Sequence, residues 1–439
     1  MIYLTKEQKY QSEDDNSNNI LNNKLKENLV NEIDNSKKLS EMRVIEYIKI
    51  IWHENFPLME IKKLKNGFYL SYGDNKLVIF DKDFNIKFEK IELDDIIYCV
   101  SQLDDDSLEN EIILGAKTIK NFIIITINIE NNSFRIENYI FDGMFFLQIS
   151  KKSFIMCQQR SIEIYDDILD RISQQHKTYL NEAQSFNCLF LNEAKDLIAF
   201  TSNQVLPLGK DCLKILDINN KGKNVVESGS FINSSNGIIL IESSNKSNKK
   251  ILLSACKKYL NNQKNGILIS MSLFNSIDDD ITSIFYETGN FEVYCFCQIL
   301  INRNDKGWIK SEYFFVGGFD LDIRQGLIKL SKAYFNENEE KMKIEFIDNI
   351  IIKNEIKEDI QIYNKKSKAE MLNKEIFSGN KNPNEFDIIQ IKQNYKGFRG
   401  PITSIIQCNT SGNILVTCYD GNIYLFSPPN LDFYLSNEN

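Results

Sequence analysis

The chain has 439 residues, a formal charge of −9, 42% hydrophobic and 26% charged residues. That balance is ordinary for a water-soluble globular protein and excludes a chain too polar to build a core. The acidic excess argues against a non-specific nucleic-acid binder, which carries a basic face, so no direct nucleic-acid contact is expected.

Residues 1–41 are polar and Asn-rich and read as a separate arm. Ile20, Leu21, Leu25, Leu29 and Ile33 recur at helical spacing, so the arm is either a short amphipathic helix or disordered. The opening Met1–Glu7 lacks a signal-peptide pattern. The longest apolar runs, such as 122–127, fall short of the roughly 20 residues that span a bilayer. An intracellular protein, cytoplasmic or nuclear, is the expectation.

From residue 42 onward the chain alternates runs of 5 to 8 residues rich in Ile, Val, Phe and Tyr with turns of Asn, Asp, Gly, Ser and Lys. That is strand-and-hairpin grammar. Seven groups of strands are counted, beginning near Pro57, Asp94, Ile140, Ser185, Phe231, Glu292 and Phe386. The run Arg43–Ile51, just before the first group, fits an extra strand or a helix face; the strand reading is preferred because Trp52-His53 and Pro57 follow so closely. Residues 353–385 carry many alternating charges and read as a solvated insertion in the last connection.

The nine cysteines are odd in number, and most sit inside apolar runs. Buried reduced thiols explain them better than a disulfide framework. Cys295 and Cys297, on one face of a strand, read as small core residues. No Cys-x-x-Cys or paired His offers zinc-ligand spacing. The acidic runs 104–106 and 278–280 lack the grammar of a calcium loop. His53 and His176 have no nucleophile motif beside them. Gly317-Gly318 and Gly397–Gly400 lack the Lys-Ser/Thr and helix of a phosphate loop. Catalytic, cofactor and metal residues are therefore expected to be none.

Trp52-His53, Asp74 and Phe80-Asp81 near one end, and Gly400-Pro401, Asp420 and Phe426-Ser427 near the other, punctuate the strand groups, and in these motifs the sequence resembles the WD-repeat β-propeller family. Trp52-His53 stands where that family has Gly-His. Asp74 and Asp420 stand at its turn aspartate. Phe80-Asp81, Tyr165-Asp166 and Leu216-Asp217 stand for degraded Trp-Asp pairs, and in the last repeat Gly400-Pro401 and Phe426-Ser427 replace the two signatures. With two His and two Trp in the chain, the family's buried His–Ser/Thr–Asp–Trp network cannot be complete. The resemblance implies an all-β propeller over residues 42–439, most simply of seven four-stranded blades closed by the strand at 43–51, with His53, Asp74 and Asp420 as structural turn residues. The last repeat ends after three strands, which is why a fourth from the N-terminus is expected.

The function implied is a non-catalytic scaffold that mediates protein–protein contacts within a complex. Tyr395, Phe398 and Arg399, in the loop that enters the last repeat, combine the aromatic and guanidinium groups common in binding hot spots, and Trp308 lies in a loop-like context. These four are the expected partner contacts. The alternatives are an enzyme with a site at the central channel and, less supported, a phosphoinositide or membrane-surface binder.

Overall fold

The computed structural model describes residues 44–103, 111–140, 145–150, 153–157, 161–166, 175–181, 185–202, 213–217, 223–227, 232–242, 250–260, 263–274, 283–288, 290–303, 307–336, 341–350, 398–432 and 435. The arm at 1–41, the insertion at 353–385, the acidic runs and Tyr395 lie outside the described residues. Two units can be distinguished. In the smaller, the Asn430 amide donates to the Val44 carbonyl at 2.8 Å, and Asn430 Oδ1 accepts from the Asp432 amide at 3.0 Å.

The larger unit, Glu46–Pro429, is all β. Its first strand, β1 (Tyr47–His53), is followed by β2 (Glu60–Lys63), β3 (Tyr69–Gly73), β4 (Lys76–Phe80) and β5 (Ile86–Glu92). Next come β6 (Ile97–Gln102), β7 (Glu111–Thr118), β8 (Asn121–Asn128) and β9 (Ser133–Ile140). Then follow β10 (Phe145–Gln148), β11 (Phe154–Cys157), β12 (Ser161–Asp166) and β13 (Gln175–Asn181). The middle of the chain supplies β14 (Ser185–Phe190), β15 (Leu197–Ser202), β16 (Leu213–Asp217) and β17 (Lys223–Glu227). It continues with β18 (Ile232–Glu242), β19 (Lys250–Leu260), β20 (Gln263–Phe274) and β21 (Ser283–Glu287). The last elements are β22 (Phe291–Arg303), β23 (Gly307–Asp320), β24 (Gln325–Asn336), β25 (Lys341–Ile350), β26 (Ile402–Gln407), β27 (Ile414–Cys418) and β28 (Asn422–Phe426).

These strands form four-stranded antiparallel meanders: β2–β5, β6–β9, β10–β13, β14–β17, β18–β21 and β22–β25, each in sequence order. One further sheet has the order β1-β28-β27-β26, so the N-terminal strand completes a sheet whose other three strands come from the C-terminus. β1 runs antiparallel to β28 with Tyr47 opposite Phe426, Ile50 opposite Tyr424 and His53 opposite Asn422. Within the 43–51 run, Tyr47–Ile51 thus resolves as strand, not helix. Adding β1 covers the β28 edge, which would otherwise expose unpaired backbone groups.

Neighbouring sheets meet through their first strands. β26 touches β2, β6 touches β3 and β10, β10 touches β14, β14 touches β18, and β18 touches β22, which returns to β26. Radially stacked four-stranded meanders of this kind are a β-propeller. Stacking buries both faces of the inner strands, which explains why they read as continuous apolar runs instead of alternating ones. All five residues of β27 and of β28 are buried. Between the first and second groups, Leu70, Leu77 and Ile79 pack with Ile112, Leu114, Ile123 and Ile125. Gly317-Gly318 has its role here: a Cβ on Gly318 would lie 2.0 Å from the Glu292 carbonyl oxygen, so the pair lets β23 press against β22.

Among the described residues, Cys99, Cys188, Cys295, Cys297, Cys408 and Cys418 form no disulfide. Burial pushes the Cys297 thiol up to about 12 and raises Cys295 and Cys418 well above the usual thiol range. In the unfolded chain these thiols ionise near 9. Above that pH the unfolded state sheds protons that the native state keeps. Their contribution is therefore complete below pH 9 and falls as pH rises toward the native values, by about 1.4 kcal/mol per pH unit for each thiol. Urea titrations at pH 8 and pH 10 should show a lower midpoint at pH 10, and Cys297→Ala should weaken that pH dependence. An unchanged midpoint would show that the thiols ionise alike in both states.

Candidate partner-binding face

The last sheet carries the polar construction nearest to the expected site. Asp420 sits in the tight turn between β27 and β28. Its Oδ1 accepts from the Asn422 amide at 3.0 Å. Its Oδ2 accepts from the Tyr424 hydroxyl at 2.7 Å and from the Arg399 amide at 3.2 Å. Asn422 Nδ2 donates to the same Tyr424 oxygen at 3.2 Å, and Asn422 Oδ1 lies 2.9 Å from His53 Nδ1. Burial first, and the Asp420 charge second, hold the Tyr424 hydroxyl well above its ordinary pKa, so it stays a donor. This relay joins β1, the turn and the loop entering β26. Trp52 Nε1, by contrast, is buried with no hydrogen-bond partner among the described residues.

Side chains of β26 bind the sheets on either side. Thr403 Oγ1 donates to the Leu58 carbonyl at 2.8 Å. Gln407 clamps Leu300, accepting from its amide at 2.6 Å and donating to its carbonyl at 3.1 Å. Asp420→Ala should strip acceptors from a buried hydroxyl and two amides, costing about 2 kcal/mol in a denaturant titration. Asp74 is exposed at the end of β3, so Asp74→Asn should leave the midpoint nearly unchanged. Equal effects would show that the Asp420 relay contributes nothing special.

The expected contact residues do not form one surface. Tyr395 lies outside the described residues. Phe398 is not an exposed anchor: it is 1% exposed, with its ring centroid 4.8 Å from that of Tyr424 and 6.1 Å from that of Phe426. A Phe between two short turns is driven inward because the stacked sheets leave an apolar slot at the top of β28. Arg399 is half-buried beside it. Trp308 is also half-buried and lies at the far end of its sheet, its indole against Gly412 in the turn between β26 and β27. It cannot share a binding patch with Arg399. His53, Asp74 and Asp420 do share one end of the sheets. His176 pairs in β13 opposite Tyr165.

That shared end is the upper face, where first strands begin and second strands turn into third strands. Backbone hydrogen bonds lace its loops together. The Leu321 amide donates to the Asn290 carbonyl, and Gly326 to Phe398. Gly326 and Gly400 pack so closely that a Cβ on the former would lie 2.2 Å from the Gly400 oxygen. Tyr419 donates to Pro401, Glu54 to Gly421, Ile97 to Asp74, and Ile119 to Ile96. The result is one continuous arc of loops over four sheets.

Among the described side chains, most of the exposed large hydrophobic ones lie on this arc. Met59, Ile96, Tyr98, Ile119, Leu321, Ile323 and Tyr419 are all on it, while Ile48, Ile86 and Phe134 lie on outermost strands. Ile323 and Tyr419 are more than half exposed, at 52% and 53%. Sequence reasoning passed over these residues. The available signal was an apolar residue set between turn formers, as in Asp320-Leu-Asp-Ile-Arg324 and Cys418-Tyr-Asp-Gly421. No group of three or more His, Cys, Asp and Glu able to hold a metal ion occurs among the described residues, and no described helix is long and apolar enough to cross a membrane.

Among solved structures, a chain of the mitotic checkpoint complex superposes with a TM-score of 0.51 at 7% identity, covering 88% of this chain and 91% of that one. The chain folds as a β-propeller. The Cps50 (Swd1) β-propeller domain of Myceliophteria thermophila matches with a TM-score of 0.49 at 9% identity, over 87% of this chain and 99% of that domain. Neither a protein-family model nor a curated protein matches the sequence. The likeness is one of fold, and the propeller's function must be argued from its surface.

Proposed function

We propose that this propeller is a non-catalytic, intracellular scaffold that holds protein partners against its upper face, as one component of a complex. The observation that carries the reading is the gathering of seven exposed apolar side chains on one hydrogen-bonded arc. Apolar side chains left in water on rigid loops cost solubility, and a contiguous group of them marks an interaction surface. A ring of seven blades, one per four-stranded sheet, with β1 as its closing strand, fits the cyclic order of contacts between first strands. Such a frame presents many loops at fixed spacing with little entropy to lose on binding. The structural neighbours support the reading, since one was determined within a named complex.

The test is affinity purification from the native cell under gentle conditions, with cross-linking and mass spectrometry. Stoichiometric partners cross-linked to the loops of the arc are expected. Recovery of the protein alone, or partners cross-linked only to the outermost strands, would overturn the reading.

A further inference from the structure

The same arc has a charge character that narrows what it accepts. Resting on the protein-binding reading above, we infer that the upper face docks a basic, apolar peptide segment: Lys or Arg alternating with large hydrophobic side chains. The apolar part of the recognition is supplied at one end by Leu321 and Ile323, in the turn between β23 and β24, and by Tyr419 across the Phe398–Gly400 loop. Ile96 and Ile119 supply it at the other end. The polar part is acidic. Asp320 and Asp322 alternate with Leu321 and Ile323, and Asp94 and Asp95 immediately precede Ile96. Asp74 stands between the two ends and is exposed. Lys120, Arg324 and Arg399 stand in the same loops, the buried Lys117 ammonium donates to the Thr118 and Asn121 carbonyls of the Ile119 turn at 2.6 and 3.3 Å, and Lys76 is engaged by Glu92 at 3.2 Å.

Carboxylates spaced one residue from exposed aliphatics give an occupant two demands at once. It must bury apolar side chains and bring positive charge to the rim. Rim charge of this kind sets specificity and association rate, while the apolar contacts carry most of the affinity. A phosphate-bearing ligand, whether nucleic acid or anionic lipid, meets repulsion on this face. The carboxylates are also held rather than free to swing away. Asn290 Nδ2 donates to both oxygens of Asp322, at 2.8 and 2.9 Å, and Asp320 Oδ1 accepts from the Asp322 amide at 2.9 Å.

The experiment pans a random 12-residue peptide display library against the full-length protein. Recovered peptides are then titrated against wild type, Ile323→Ser, Tyr419→Ser and Asp94→Lys. All three positions are exposed or sit at turns, so these variants should fold, as circular dichroism would check. Enriched peptides should combine Lys or Arg with Leu, Ile or aromatic residues. Each variant should weaken binding by about tenfold, and raising salt should weaken binding to wild type but less to Asp94→Lys. Neutral or acidic winners, or binding that ignores all three variants, would overturn the inference while leaving a scaffold that docks partners elsewhere. Absence of any enriched peptide would also overturn it, and the cross-linking experiment then decides the scaffold reading separately. Equal retention of the protein on vesicles containing anionic lipid, with or without Asp94→Lys, would overturn it in favour of a membrane ligand.

Discussion

Replacing Phe398 by Ala should lower the stability of the propeller by about 3 to 5 kcal/mol, the range for deleting a fully buried aromatic ring. The side chain is 1% exposed and closes an apolar slot formed by Tyr424 and Phe426. Its carbonyl accepts from the Gly326 amide at 3.2 Å, so the residue also fixes the loop to the neighbouring sheet. Chemical denaturation followed by tryptophan fluorescence measures the effect. Phe398→Leu, which keeps most of the volume, should recover more than half of it. If Phe398→Ala instead leaves the midpoint within 1 kcal/mol but abolishes partner capture, the ring is a contact residue after all and its buried position is wrong. Arg399→Ala serves as the companion: half-buried, with its backbone amide held by Asp420, it should cost far less stability.

A chain that begins at Glu54, and so lacks β1, should lose cooperative unfolding and associate in solution. Without β1 the sheet β28-β27-β26 ends in an unpaired strand whose residues Asn422–Phe426 are all buried in the intact protein. Such an edge is a template for pairing with a second chain. Trp52, whose ring meets Phe80 at 6.0 Å, and Ile51, which packs on the cluster of Leu58, Tyr69 and Leu425, would be lost with it. Size-exclusion chromatography with light scattering should show dimers or larger species. A synthetic peptide covering residues 44–54, added in excess, should restore the monomer by taking the place of β1. A monomeric truncated chain with an unchanged unfolding midpoint would show that the ring closes without its N-terminal strand.

The sequence by itself determined the fold class. Apolar runs of strand length separated by Gly, Asn and Asp turns admit little else, and the runs that became β3, β4, β27 and β28 read as continuous because both of their faces are covered. Asp420 was also legible as a structural turn residue, since a short acidic side chain before Gly421 suits a tight turn. Reading the run at 43–51 as the partner of the last strand required weighing strand against helix, because Val44, Tyr47, Ile48 and Ile51 also fit a helix face. Only long-range pairing with β28 decides between them, and pairing is not written in local pattern.

The partner surface was decided by tertiary structure alone. Phe398 and Tyr419 are both aromatic residues in turn-like stretches; one fills a slot and the other stands in water, because stacked sheets leave a cavity at the first position and none at the second. Trp308 and Arg399 are equivalent candidates by residue type and loop context, yet they lie at opposite ends of the sheets. Met59, Ile96, Ile119 and Ile323 are scattered over more than 260 residues of chain and come onto one arc of loops only when successive meanders stack in a ring. A linear pattern records which residues alternate with turns. Which turns share a face depends on the direction in which each strand enters its sheet, and that is fixed by packing between sheets rather than by any one segment.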